Sequence, residues 1–285
     1  MYYDAGIIHE LDGYLTTRYE RCLQNIGEAR RIVMKFGTDA VNSIFDGYGE
    51  SLVEDIGREY DIGKEFLIVS SGAIGMGKSS SSIEDPDPVI RKSVYASLGQ
   101  PILMDRWLNL LATEDLTGTQ VLYENENLTG NSRHKEYIKQ GLESMLGNGI
   151  LPIVNENDAV TSEEITTSGK AKTFGDNDNL ARLVCDLIDA DLMIFFTGAG
   201  GVYDDITDKN SLYEAIFDQD EEFYMGFIDS VSPDGEGGIR SKLEASSRLA
   251  EKGIPVVITS PERENPLNCS LYEHGKHTIV VPQYH

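Results

Sequence analysis

Positive charge is scarce in this chain: 24 lysines and arginines stand against 48 aspartates and glutamates, a formal net charge of −24. Such a field repels nucleic acid and anionic membrane surfaces, and both are excluded as default partners. It also means that binding a polyanion such as a nucleotide requires the few cations to be gathered in one place. Cysteine is scarce as well. Cys22, Cys185 and Cys269 are odd in number and far apart, which fits reduced thiols rather than a disulfide frame or a zinc site, and Cys185 reads as a core residue on the apolar side of a helix. No apolar run approaches the roughly 18 residues of a membrane span. The opening MYYDAGIIHELDG places acids early and lacks a basic flank followed by an apolar segment, so no secretory signal is read and a cytoplasmic protein is expected. His134, His274, His277 and His285 lack partners at metal-binding or catalytic spacing, read as solvated, and give no metal ligands.

What is present is an ordinary globular composition, 40% apolar and 25% charged, with enough chain for one large domain. One helix is expected from about Tyr14 to Arg30. After it the apolar runs RRIVMKF, EFLIVSSG, GTQVLYE, ILPIVNEND, ADLMIFF, IPVVITS and HTIVVP read as strands, separated by helical patterns near 89–113, 132–147, 180–190 and after 238. Pro101 is expected to interrupt the helix at 89–113. KSSSSIEDPDP reads as a surface loop, VTSEEITTSGKAKTFG as a hairpin or flap, and residues 204–235 as acidic and irregular. Strands alternating with helices imply an α/β protein with a largely parallel sheet.

The strand ends carry the chemistry. In open α/β sheets ligands bind beyond the carboxyl ends of the strands. Here those ends are KFGT, SSGA, NEND and TGAGG, joined by EGGIRSK before a helix. Glycine there lets backbone N–H groups approach anionic oxygens, and Lys35 and Lys242 can place compact charges on them. Each signal has a plainer reading. Lys35 in KFGT can be a solvated strand-end lysine, SSGAIGMG a packed turn, and EGGIRSK a capped surface helix. FGDNDN, Phe174 to Asn179, lies just before an apolar helix and serves equally as an N-cap or as a cluster of site carboxylates and amides. NEND is harder to dismiss, because four amides and acids directly after ILPIV cost several kcal/mol if buried without partners.

MKFGT, VSSGAIGMG, ASLGQ, PIVNENDAV, FGDNDNLA and GGIRSKLEA, in this order, resemble the amino-acid kinase family, most closely its glutamate 5-kinase branch, from about Arg31 to Ser260. The resemblance implies a three-layer αβα sandwich around a mainly parallel sheet. It implies ATP-dependent phosphorylation of the γ-carboxylate of L-glutamate, with Mg²⁺, as the first step of proline synthesis. A sister kinase acting on another acid or phosphate, and a glutamate or nucleotide sensor without turnover, are the alternatives. By matching motif, Lys35, Asp178 and Lys242 would be catalytic, Asp178 pairing with and aiming both lysines. Ser71, Gly72, Ala73, Asp158, Asp176 and Asn177 would contact glutamate, Asp158 taking its ammonium. Lys35, Gly37, Thr38, Thr197, Gly198, Gly237, Gly238, Ile239, Arg240, Ser241 and Lys242 would hold ATP. Where relatives commonly read Thr-Asp, this chain has Thr197-Gly198, which removes a carboxylate from the nucleotide side. Residues 1–30 are expected as an N-terminal extension and 31–285 as the kinase domain, without the PUA domain that bacterial relatives often add. Proline feedback through the flap between Thr161 and Thr173, and a homo-oligomer, are also implied.

Overall fold

The computed structural model describes residues 2–4, 13–129, 133–160, 177–217 and 238–284. Among these residues, nine strands form one sheet: β1 (Tyr2–Asp4), β2 (Arg31–Phe36), β3 (Glu65–Ser70), β4 (Thr117–Tyr123), β5 (Ile150–Glu156), β6 (Leu192–Phe196), β7 (Tyr213–Ile216), β8 (Val256–Thr259) and β9 (Thr278–Val280), in the order β1-β7-β9-β8-β6-β2-β3-β5-β4. From β8 to β4 every pairing is parallel, so the carboxyl ends of β8, β6, β2, β3, β5 and β4 open on one edge. Only β8–β9 and β1–β7 are antiparallel.

Strand periodicity sorts the side chains into two layers. On β2 and β6, Ile32, Met34, Phe36, Leu192, Ile194 and Phe196 join one buried cluster, while Val33, Met193 and Phe195 join the other. Both faces of the sheet are therefore covered, as a parallel sheet requires, and the expected α/β sandwich is what forms. Lys35 alternates onto the same face as Val33. That face is covered by α7 (Arg133–Gly147), α8 (Asn177–Leu187) and α9 (Ile239–Ala250).

The other layer contains α1 (Gly13–Glu28), α2 (Thr38–Ser43), α3 (Gly49–Asp61), α4 (Ala73–Ser80), α5 (Pro88–Ala112) and α10 (Pro266–Tyr272). A short helix, α6 (Asn125–Leu128), follows β4. A π-helical turn, Ile44–Tyr48, joins α2 to α3, with Gly47 at φ 131°. Helix α1 buries Leu15, Tyr19, Cys22 and Ile26 in the same cluster as Ile32 and Phe36, and Arg18 donates to the Pro282 carbonyl at 3.1 Å. Within the segment expected as an extension, α1 is thus packed into the same core.

Several expectations give way. Pro101 lies inside a continuous α5, because Leu103, Met104, Trp107 and Leu111 are buried beyond it and their packing outweighs the one lost helical bond. The stretch after residue 204 contains β7, held between β1 and β9. Asn177, Asp178 and Asn179 are not in a loop before α8 but in its first turn. Lys78 to Ser80 end α4 rather than belonging to the following loop. His277 is 1% exposed, not solvated. All three cysteines are buried and free.

Two glycines set the distance between α4 and α5. A Cβ on Gly99 would lie 1.7 Å from the Ala73 carbonyl oxygen, and one on Gly77 would lie 1.9 Å from that of Tyr95. Only hydrogen fits at either position.

Candidate active site

At the carboxyl edge of the sheet, three charges from three separate chain segments meet. Lys35 is the penultimate residue of β2, Asp178 is in the first turn of α8, and Lys242 is in the first turn of α9. Lys35 Nζ lies 2.5 Å from Asp178 Oδ1, and Lys242 Nζ lies 3.2 Å from Oδ2. Ser241 Oγ donates to Oδ2 at 2.6 Å. Lys35 and Asp178 are each 1% exposed and Lys242 is 6% exposed. Burial pushes the Asp178 carboxyl upward, but the lysines and the Ser241 hydroxyl outweigh it and bring its pKa down to about 2. The carboxylate is therefore ionised at neutral pH, and the centre holds two ammonium groups around one anion. Gly37 keeps the space beside it open, for a Cβ there would come within 3.8 Å of Lys35 Nζ.

A cavity of about 810 Å³ lies between the strand ends, α4 and α5; the triad itself does not line it, but Asn177, the chain neighbour of Asp178, does. Ser71, Gly72 and Ala73, which end β3 and open α4, line it together with Thr38, Asp158 and Asn177. Gly72 takes φ 106°, a left-handed conformation that turns the chain from strand to helix. Below this turn, the Trp107 indole donates to Ser70 Oγ at 2.9 Å, and Phe36 stacks on Phe196 at 4.6 Å. The strand ends are thus braced from the core side.

A chain of amides runs along the cavity wall. Asn177 Nδ2 donates to Ser71 Oγ at 2.9 Å and to Asn155 Oδ1 at 3.1 Å, and Asn155 Nδ2 donates to Gln100 Oε1 at 2.8 Å. These bonds give partners to the buried amides of Asn155 in NEND and Asn177 in FGDNDN.

The cavity is rich in cations for so acidic a protein. Lys78, Arg91, Lys92 and Arg106 line it, while Asp158 is the one lining carboxylate among the described residues. Arg91 donates to the Asp85 carbonyl at 2.8 Å, and Arg106 lies over the Phe45 ring at 4.8 Å. Sequence reasoning missed Arg91, Arg106 and Gln100. Positions 88, 91, 92, 95, 102 and 106 form one stripe of α5 at helical spacing, a signal hidden by the stronger apolar stripe on the other side of that helix.

Thr197 and Gly198, expected by the resemblance to meet ATP, follow β6, where Thr197 N–H donates to the Thr259 carbonyl at 2.8 Å. Asp39 Cβ would lie 3.6 Å from a Cβ on Gly198, so the Asp39 side chain of α2 starts beside that position. Gly238 caps α9, and Ile239, Arg240, Ser241 and Lys242 form its first turn, an N-terminus suited to anions. Of these four, Ser241 and Lys242 meet Asp178, whereas Arg240 pairs with Glu244 at 2.9 Å. Asp176, Gly237 and the flap between Thr161 and Thr173 lie outside the described residues.

Fold and site together define an α/β protein with a buried lysine–carboxylate–lysine centre at its strand ends and a cavity lined mostly by cations among its charged residues. The profile of the amino acid kinase family matches residues 30–260, and the chain belongs to that family. Similar proteins include a glutamate 5-kinase of Streptomyces coelicolor, 34% identical over 83% of this chain and 63% of its own length. One of Aquifex aeolicus is 35% identical over 84% of this chain and 65% of its own length. One of Clostridium acetobutylicum is 31% identical over 93% of this chain and 98% of its own length. The match therefore spans less than two thirds of the first and second of these relatives and nearly all of the third.

Proposed function

We propose that this protein phosphorylates the γ-carboxylate of L-glutamate with ATP, producing an acyl phosphate, the first step of proline synthesis. The observation that carries the reading is the buried Lys35–Asp178–Lys242 centre, together with a cavity lined by Ser71, Asp158 and Asn177, the last being the chain neighbour of Asp178. The similarity to proteins named glutamate 5-kinase supports the same substrate.

The chemistry suits these residues. Transfer from ATP to a carboxylate brings two anions together, so the protein's task is charge neutralisation and alignment rather than covalent catalysis. Lys35 and Lys242 flank the transferring group from β2 and α9, and Asp178 fixes both ammonium groups in direction. The nucleophile is a carboxylate, ionised at neutral pH, so the reaction needs no general base. Ser71, Gly72 and Ala73 hold glutamate at the turn into α4, and Asp158 faces its ammonium. Gly37 and Thr38 meet the phosphates, together with the first turn of α9. Among the described residues no three metal-ligating side chains converge, so Mg²⁺ would be held chiefly by nucleotide oxygens, drawing charge from the phosphoryl group. The reading places the reaction in the cytoplasm. The homo-oligomer implied by the resemblance would use the exposed Leu98 and Leu108 of α5, beside the edge strand β4.

The test combines purified protein, ATP, Mg²⁺ and hydroxylamine with L-glutamate, aspartate or N-acetylglutamate. Hydroxamate from glutamate alone is the expected result. No hydroxamate from any acid, with glutamate still raising the melting temperature, would replace the kinase by a glutamate-binding protein.

A further inference from the structure

The carboxylate at the centre of the triad does not hold its partners alike. Lys35 meets Asp178 Oδ1 at 2.5 Å and is packed at the level of Val69 and Phe195 on the strands to either side, both fully buried. On the other oxygen, Oδ2, two partners compete. Ser241 Oγ lies at 2.6 Å and Lys242 Nζ at 3.2 Å. A charge-assisted N–H···O contact normally closes to about 2.7–2.9 Å, so Lys242 is the loosest of the three. The serine proton has a second acceptor, the Gly238 carbonyl at 2.9 Å, but the ionised carboxylate is nearer and stronger. Ser241 and Lys242 are consecutive in the first turn of α9, where Ser241 alone bears a hydroxyl. Withdrawing a partner from a buried carboxylate is strongly unfavourable unless another donor stays behind. Asp178 is 1% exposed, and Ser241 is such a donor.

We propose that Ser241 is a positioning residue that stays on Asp178 Oδ2 while Lys242 leaves it for the nucleotide phosphates, so that Lys242 is the mobile charge of the centre and Lys35 the fixed one. The inference deepens the kinase reading of this site, on which it rests. Lys242 carries its ammonium on a flexible four-carbon stem, and rotation about that stem moves the charge while α9 stays in place. The serine has no such reach. Its hydroxyl remains at Oδ2, keeps the carboxylate oriented toward Lys35, and lowers the cost of releasing Lys242. Without the hydroxyl, Oδ2 draws Lys242 inward, and each excursion of that ammonium to a phosphate uncovers the carboxylate.

The experiment is calorimetric titration with ATP and Mg²⁺, no acid present, of the parent, Ser241→Ala, Ser241→Thr, Lys242→Ala and the double variant Ser241→Ala/Lys242→Ala, each checked by a melting curve. Ser241→Ala should weaken ATP binding by about tenfold, the scale of a hydrogen bond to a charged group, and Ser241→Thr, which keeps the hydroxyl, should stay within about threefold. In the Lys242→Ala background, where no charge has to leave, adding Ser241→Ala should change the affinity by less than about threefold. A serine that merely supports α9, or that itself touches the nucleotide, would cost the same with or without Lys242. Additive losses in that cycle therefore overturn the proposal, as does a threonine variant as weak as the alanine one. Should Ser241→Ala not fold, Ser241→Cys, whose thiol is a weak donor, takes its place in the same cycle. In a parent that binds ATP but makes no hydroxamate, the glutamate reading fails while a non-additive cycle still supports the role of the serine. A parent that makes hydroxamate and shows an additive cycle keeps the reading and overturns the proposal. A parent that does not bind ATP overturns both.

Discussion

Lys35 Nζ and Asp178 Oδ1 lie 2.5 Å apart, each side chain 1% exposed, so that β2 and α8 are joined by an ion pair sealed from water. Lys242 joins the same carboxylate from α9, and the three elements share one anion. Asp178→Asn would leave two buried ammonium groups without their counter-charge. The expected cost is about 3–5 kcal/mol of stability, read as a lower urea midpoint, together with loss of turnover. The pH sense follows from the carboxyl's depressed pKa. Its contribution is full above the ordinary value of 3.8 and is lost as pH falls toward about 2.

Lys242→Ala should separate the two halves of the site. Under the proposed function Lys242 acts on the transferring phosphate, and unlike Ser71 and Asn177 it does not line the cavity, so kcat should fall on the order of a hundredfold or more while glutamate affinity stays near the parent's. Calorimetric titration with glutamate beside the hydroxamate assay checks this. Equal loss of both would move Lys242 to the glutamate side.

His277 predicts a second pH effect of its own. Burial, with a smaller contribution from Arg263, lowers its pKa from the ordinary 6.5 to about 4, and neither ring nitrogen has a hydrogen-bond partner. Between those values the unfolded chain takes up a proton that the folded protein refuses, so stability should fall as pH drops from about 6.5 to about 4 and then level off. His277→Phe should flatten that part of the curve. Urea midpoints of both proteins at pH 7 and pH 5 measure the difference.

Gly99→Ala should act at a distance. The added methyl would meet the Ala73 carbonyl at 1.7 Å, and relief requires α4 to move, carrying Ser71–Ala73 with it. A stability loss of about 1–3 kcal/mol is expected with a raised KM for glutamate, the KM for ATP changing less. A melting curve and two substrate titrations decide it.

Asp39 and Gly198 should behave as a pair. If the α2 carboxylate stands in for the one missing after β6, Asp39→Ser alone should raise the KM for ATP by about three- to tenfold, and adding Gly198→Asp should recover most of it. A double-mutant cycle with additive effects would separate the two positions.

Much of this architecture is written locally in the chain. Runs such as RIVMKF and EFLIVS are buried on both faces, mostly apolar and soon followed by glycine, and they became β2 and β3 where expected. The triad was legible too, because Lys35, Asp178 and Lys242 each sit at the junction of an apolar run with a polar or glycine-rich one. What escaped was decided by tertiary contact. β1 and β7 are three and four residues long and exist by pairing at the sheet margin, and Pro101 is tolerated because buried residues beyond it hold the helix. His277 gave no periodic sign of burial, being placed by the antiparallel return of β9 onto β8. Arg91 and Arg106 are fifteen positions apart on α5, and only the cavity shows that they belong together.

The two interhelical glycines carry a mechanical consequence. With backbone against backbone at Gly77 and Gly99, α4 and α5 have no side-chain layer between them through which to slide or roll. They form one stiff plate bearing Ser71–Ala73 at its edge and Arg91 and Arg106 along its length. Any closing of the cavity around a ligand must then come from the opposite bank, the side of α2 and the first turn of α8, moving toward a wall that stays still.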